Sequence, residues 1–228
     1  MDKKPLLNTK SLKEQVYDYL RVQMQQGELL PGAAIDMEET SRRLGVSKTP
    51  LRDALLQLES EGFVTILPRR KIVVNGLTLE EIRNYYEIIG ALESMALHSA
   101  FDRLGPAEID RMEKLNAEME AAIVRDDFDL YYAKNLFFHD VFLRLSGNET
   151  LIRIVTNLKK RLYDFPRRQG FVKEWEQESI GEHARLIHLI RGGDPEAAAA
   201  QIRNVHWSFE VQEPFINRYY TKAAALVE

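Results

Sequence analysis

The sequence predicts a mainly α protein: an N-terminal winged helix-turn-helix of three helices plus a two-stranded wing, followed by an all-helical antiparallel bundle. Three observations predict it. Apolar residues recur at three- and four-residue spacing from Leu12 to Leu58, the period of helices with one buried face. Two short β-branched runs, Phe63 to Leu67 and Ile72 to Val74, flank the basic turn Pro68-Arg69-Arg70-Lys71. Beyond Leu77 no Val- or Ile-rich alternation of strand length recurs, so residues 1–75 and 76–228 separate near Asn75-Gly76.

In the first region, Leu12, Val16, Tyr19, Leu20 and Met24 form one helical face, which Gly27 ends. Pro31 and Gly32 supply a loop, Met37 to Leu44 a short second helix, and Gly45 the break after it. Ser47 and Thr49 are candidate N-caps and Pro50 suits a first turn, so a third helix runs from about Lys48 to Glu61 with Leu51, Ala54, Leu55 and Leu58 inward. The hairpin from Phe63 to Val74 makes the wing, and the third helix is the one placed to enter a DNA major groove. In the second region Thr78, Asp127, Asn148 and Asp194 are expected N-caps. Gly105-Pro106, Gly147-Asn148 and Gly192-Gly193 are expected breaks, which gives six or so helices.

Composition narrows the function classes. The 228 residues hold no Cys, which excludes disulfides and thiolate metal sites. The opening MDKKPLLNTK lacks an apolar stretch and no apolar run reaches the length of a membrane span, so a cytoplasmic protein is expected. The net charge is -4, yet residues 1–75 carry a net +2 and the rest -6. Arg42, Arg43, Lys48, Arg52, Arg69, Arg70 and Lys71 concentrate the positive charge, the pattern of a phosphate-facing surface or of a solvated face.

Lys48 and Arg52, four apart, share a face of the third helix that is not its Leu face. Ser47, Thr49 and the first-turn amides add neutral contacts to phosphate. The competing arrangement is a salt bridge from Arg52 to Glu38 or Glu39. All five histidines lie in the second region, where Asn135 and His139 are four apart and His183 and His206 fall on separate helices. Imidazoles converging inside a bundle hold metal ions, although a lone His is more often a packed core residue.

The combination is more specific than its parts. The Pro31-Gly32 loop, the run Leu44-Gly45-Val46-Ser47-Lys48-Thr49-Pro50-Leu51-Arg52-Asp53-Ala54-Leu55 and the run Leu58-Glu59-Ser60-Glu61-Gly62-Phe63-Val64 resemble, in order and spacing, the DNA-binding domain of the GntR superfamily. The resemblance implies operator contacts from Ser47, Lys48, Thr49 and Arg52, and the basic cluster adds Arg42, Arg43, Arg70 and Lys71 as further candidate contacts. Thr40-Ser41 stands where the family often has Leu-Ala, and Arg70-Lys71 where its wing tip usually reads Arg-Gly.

Leu92-Glu93, Asn135-x-x-Phe138-His139, Gly147-Asn148, Glu182-His183, Gly193-Asp194 and His206 resemble the FCD-type ligand-binding domain of the FadR subfamily. That resemblance implies a divalent metal ion, zinc first and nickel or manganese as alternatives, held by Asn135, His139, His183 and His206. It also implies a homodimeric, metabolite-responsive regulator, a repressor in the commoner case, that reads a short inverted repeat and answers to an organic acid. Two positions depart from the family. Asn135 replaces the usual Asp, so three imidazoles and an amide leave the ion's charge uncompensated and favour an anionic effector or hydroxide. Ile89 stands where an Arg commonly binds the effector carboxylate; Arg153, Lys159, Lys160, Arg161 and Arg203 are candidates to replace it, with Arg161 and Arg203 put first. The rival reading is a helical metal-dependent hydrolase or a metal or metabolite carrier. Against catalysis, the sequence has no Ser/His/Asp set and no phosphate-binding glycine loop, and Glu182 beside His183 is the one acid near a His.

Overall fold

The computed structural model describes residues 10–68, 71–163 and 172–224, and its chain contacts divide it into two compact units, the first running to Leu77 and the second starting at Thr78. In the first unit, α1 (Leu12–Gln25) begins at a capping box: Ser11 Oγ accepts from the Glu14 amide while the Glu14 carboxylate accepts from the Ser11 amide. Asp36 caps α2 (Met37–Leu44), and Gly45 ends it with a φ of 65°, a left-handed conformation that glycine adopts without Cβ strain. α3 (Lys48–Ser60) follows after two residues. Leu20 of α1, Leu51, Leu55 and Leu58 of α3, Phe63 and Ile72 form the core, each burial contributing about 1.5–3 kcal/mol.

The wing contains more sheet than the sequence indicates. β2 (Val64–Leu67) and β3 (Lys71–Val74) pair antiparallel as expected, but the two residues of β1 (Ala34–Ile35) add a third strand on the other side of β3. The order is β1-β3-β2, with Ala34 opposite Val73 and Ile35 opposite Ile72. Two residues are too few for an alternation to show; the partner strand decides their conformation. Arg69 and Arg70 lie outside the described residues, so the wing tip receives no structural account.

The second unit is a helical bundle of α4 (Leu79–Ala100), α5 (Pro106–Val124), α6 (Phe128–Ser146), α7 (Glu149–Tyr163), α8 (Lys173–Arg191), α9 (Pro195–Gln201) and α10 (Phe209–Ala224). Thr78, Asp127, Asn148 and Asp194 each accept an amide of the following first turn, as their sequence positions indicate. α5 packs on α6 and α8, and α4 on α6 and α9. Among the described residues this is seven α-helices rather than six, because a π-helical turn (Ile202–His206) separates α9 from α10. Such wide turns leave backbone groups less regularly paired and concentrate at functional sites.

The π-turn sits against α4 at Gly90, where a Cβ would lie 3.0 Å from Trp207 Cβ and 3.4 Å from the Trp207 carbonyl oxygen. Two effects therefore oppose each other in Gly90→Ala. Helix propensity favours alanine by up to about 1 kcal/mol, whereas overpacking a closed contact costs about 1–3 kcal/mol. The clash involves backbone and a Cβ, neither able to swing away, so the substitution is expected to destabilise the second unit by about 1 kcal/mol and to shift Trp207 fluorescence. Chemical denaturation of the variant checks this, and a gain in stability would show that the close approach is unimportant.

Candidate functional site

Two sites emerge, one in each unit. In the first, the start of α3 is open. Ser47 precedes the helix in an extended conformation without a side-chain capping bond, no acidic residue occupies the first turn, and Pro50 carries no N–H. The amides there keep their partial positive charge available to an anion. Ser47, Lys48, Thr49 and Arg52 are all exposed, as are Arg42 and Arg43 in the last turn of α2 and Lys71 at the start of β3. Arg70 lies outside the described residues. Glu38 ion-pairs with Lys48 and not with Arg52. An exposed pair of this kind is worth roughly 0–1 kcal/mol and exchanges readily for phosphate. Ser41 donates from Oγ to the Val46 carbonyl oxygen at 2.6 Å, which ties the turn between the two helices from a position where the resemblance favours an apolar residue.

The second site lies inside the bundle. α6 presents Asn135 and His139, α8 presents His183 and the π-turn presents His206; all but the half-buried His206 are buried. One ligand atom from each of the three histidines lies within 4.8 Å of the other two. His139 and His206 have ring centroids 4.9 Å apart, as do His183 and His206, and Phe138 stacks on His183 at 4.1 Å. His139 Nε2, both nitrogens of His183 and Asn135 Oδ1 are buried without a hydrogen-bond partner. Orphaned buried polar atoms are costly; one nitrogen of neutral His183 carries the proton, and the lone pairs on its other nitrogen, on His139 Nε2 and on Asn135 Oδ1 fit a cation that would accept them.

Around this centre His139 and His206 each have the outward-facing nitrogen satisfied by a carboxylate. Glu93 of α4 accepts on Oε2 from His139 Nδ1 at 2.8 Å and from Trp207 Nε1 at 2.8 Å, and its Oε1 faces the ammonium of Lys159 on α7 in an ion pair. Glu182 accepts from His206 Nδ1 at 2.7 Å and from Gln212 Nε2 at 2.8 Å, and Gln212 in turn accepts from Trp175 Nε1. A carboxylate on Nδ1 fixes the proton there and leaves Nε2 as the ligating atom, the usual arrangement behind a metal-bound imidazole. Burial drives His139 down to about 3, so it is neutral at physiological pH, and burial likewise holds His183 well below its ordinary value. For Glu93 burial raises the carboxyl, but the hydrogen bond it accepts from His139 and its ion pair with Lys159 more than reverse it and hold the group ionised.

The two arginines put first for the effector have different surroundings. Arg161 is buried, with Tyr85, Glu81 and Tyr220 as the groups that act on it electrostatically. Arg203 is exposed on the π-turn, in an open groove with Arg83, Glu87 and Phe209. The buried cation joined to the histidine cluster is Lys159, its Nζ 5.1 Å from the Trp207 ring. Lys159 is one of the five basic candidates that the sequence offers, but not one of the two put first, and no spacing signal points to its pairing with Glu93 or to Trp207 and Gln212. His98 is exposed and pairs with Glu196, and His188 is exposed on α8.

Comparison with known proteins agrees with this division. Residues 12–74 match the bacterial regulatory proteins, gntR family, and residues 84–206, more than half of the chain, match the FCD domain. The chain is 26% identical to the uncharacterized HTH-type transcriptional regulator YdhC of Bacillus subtilis over 190 residues, 82% of this chain and 84% of that protein. It is 26% identical to the gluconate operon transcriptional repressor of Bacillus licheniformis, over 84% of this chain and 79% of the relative. Among solved structures, McbR/YncC of Escherichia coli superposes with a TM-score of 0.70 at 23% identity, covering 94% of this chain and 99% of that one. The rival hydrolase reading falls away, since family and relatives are transcriptional regulators and not enzymes. The chain belongs to the gntR family of bacterial regulators, with a helix-turn-helix domain that binds DNA and an FCD domain that binds an effector.

Proposed function

We propose that this regulator is a homodimeric, metal-dependent repressor whose operator affinity is set by a small organic acid bound in the FCD domain. The observation that carries the reading is the gathering of orphaned ligand atoms on His139, His183 and Asn135 around His206. Asn135, His139, His183 and His206 would hold a divalent ion, zinc in first place and nickel or manganese as alternatives. The ion would supply a Lewis-acidic seat for a carboxylate; Glu93 and Glu182 orient the imidazoles that hold it. Relatives named as repressors, RspR of Escherichia coli and the gluconate operon repressor, support the sign of regulation.

DNA recognition is assigned to α3. Ser47, Thr49 and the first-turn amides would meet phosphate, Lys48 would leave Glu38 for phosphate, and Arg52 would reach base edges in the major groove. Arg42, Arg43, Arg70 and Lys71 would add backbone contacts. Two copies of α3 then read an inverted repeat. For the dimer, α4 offers an exposed apolar stripe of Ile88, Ala91 and Met95 at helical spacing, 43% and 51% exposed at its two large members. A stripe of this kind suits a two-fold interface, in which the same patch serves both subunits. Among the described residues no helix is long and apolar enough to cross a membrane.

Three outcomes test the proposal. In mobility-shift titrations on the protein's own upstream DNA, Arg52→Ala is expected to weaken binding by about 1–3 kcal/mol and to relax sequence preference, whereas Lys48→Ala lowers the salt dependence by about one phosphate contact; equal loss on all sequences from Arg52→Ala would remove the base-reading role. Native mass spectrometry of protein purified without chelator is expected to report one ion per subunit, absent in His183→Ala. Zinc at about a hundred times its Kd should then add about 2.7 kcal/mol to the stability of wild type and nothing to the variant. Finally, Ile88→Glu with Met95→Glu should convert the dimer to a monomer in light scattering, and a dimer that survives both changes would place the interface elsewhere.

A further inference from the structure

The ion-pair partner of Glu93 changes what the metal site can do. Resting on the metal reading above, we propose that Lys159 makes ion binding conditional on an anion, so that the site fills with a divalent cation and a small monoanionic carboxylate together. The reasoning is a charge count in a buried space. Asn135, His139, His183 and His206 are neutral donors, so a divalent ion brings two positive charges that its ligands do not offset. Two carboxylates stand behind the ligands, Glu182 on His206 and Glu93 on His139. Glu182 offsets one charge. Glu93 would offset the second, but its Oε1 faces Lys159, whose side chain is 4% exposed. The pair is internally neutral.

One positive charge therefore remains uncompensated beside buried imidazoles, where an unpaired charge costs several kcal/mol. A carboxylate bound at the ion removes that cost, and the ion gives the carboxylate its attraction; each raises the affinity of the other by the same factor. With Ile89 in place of a cation on α4, no arginine of that helix is needed to explain a preference for anions. Lys159 is a positioning and charge-balancing residue here, and the expected ligand class is a small carboxylate of single negative charge.

Calorimetric titration of zinc into the metal-free full-length protein, in a buffer of weakly coordinating anions with and without millimolar acetate, tests this. Wild type should bind zinc at least tenfold more tightly with acetate than without. Lys159→Met, which leaves Glu93 free to offset the ion, should bind zinc at least tenfold more tightly than wild type in the absence of acetate and respond to acetate less than twofold. Asn135→Asp supplies the missing charge from another position, leaves the Glu93–Lys159 pair intact, and should likewise raise acetate-free affinity and shrink the acetate response. Because it leaves that pair intact, Asn135→Asp also separates charge balance from loss of fold in Lys159→Met. Wild type that binds zinc tightly and ignores acetate overturns this inference and leaves the metal reading standing. If neither wild type nor Asn135→Asp binds zinc in either buffer, the metal reading fails and the inference with it.

Discussion

The carboxylate of Glu93 is the constraint around which the second unit is arranged. It has no contact with water, and a buried carboxylate survives as an ion only where donors and cations meet its charge. Three elements bring them: His139 from α6, Trp207 from the end of the π-turn and Lys159 from α7. Each partner is thereby placed. Trp207 closes against α4 where Gly90 lacks a side chain, the π-turn is held in that position, and His206 is carried into reach of His139 and His183. Removing the carboxylate would release the anchor of one histidine and the indole that positions another.

This arrangement explains how a site with neutral donors persists. His139 faces inward with Nε2 because Glu93 takes Nδ1, and His206 is oriented in the same manner by Glu182. Phe138 stacks on His183 and excludes competing hydrogen-bond partners from it. The result is a set of lone pairs that only a cation or a proton donor can satisfy, created by packing and not by proximity in the chain.

The first unit depends on different physics. Its core of Leu51, Leu55, Leu58 and Phe63 fixes α3 from one side, so the opposite side and the N-terminal turn are free to carry charge. The Ser41 hydroxyl on the Val46 carbonyl and the left-handed Gly45 set the angle at which α3 leaves α2. Exposed Lys48 is only weakly held by Glu38, so little energy opposes its exchange to another anion.

Much of this was legible in the chain order of residues. Helical periodicity, the caps Thr78, Asp127, Asn148 and Asp194, and the breaks at Gly45, Gly147 and Gly193 are local, and local chemistry decides them. The helix-turn-helix run from Leu44 to Leu55 and the gathering of His139, His183 and His206 were readable because their spacing repeats a known pattern. The third strand was not, since Ala34 and Ile35 take their conformation from β3. Nor were Lys159, Trp207 and Gln212, whose roles arise from residues that lie 66, 114 and 30 positions away in sequence. Among five basic residues of suitable charge, burial beside Glu93 singled out Lys159, while Arg161 turned to Tyr85 and Tyr220 and Arg203 to solvent. Sequence determined which elements form and which residue types are available for binding DNA and metal. Tertiary structure decided which charges meet in the dry interior, because only packing sets the distance and the loss of water on which electrostatic strength depends.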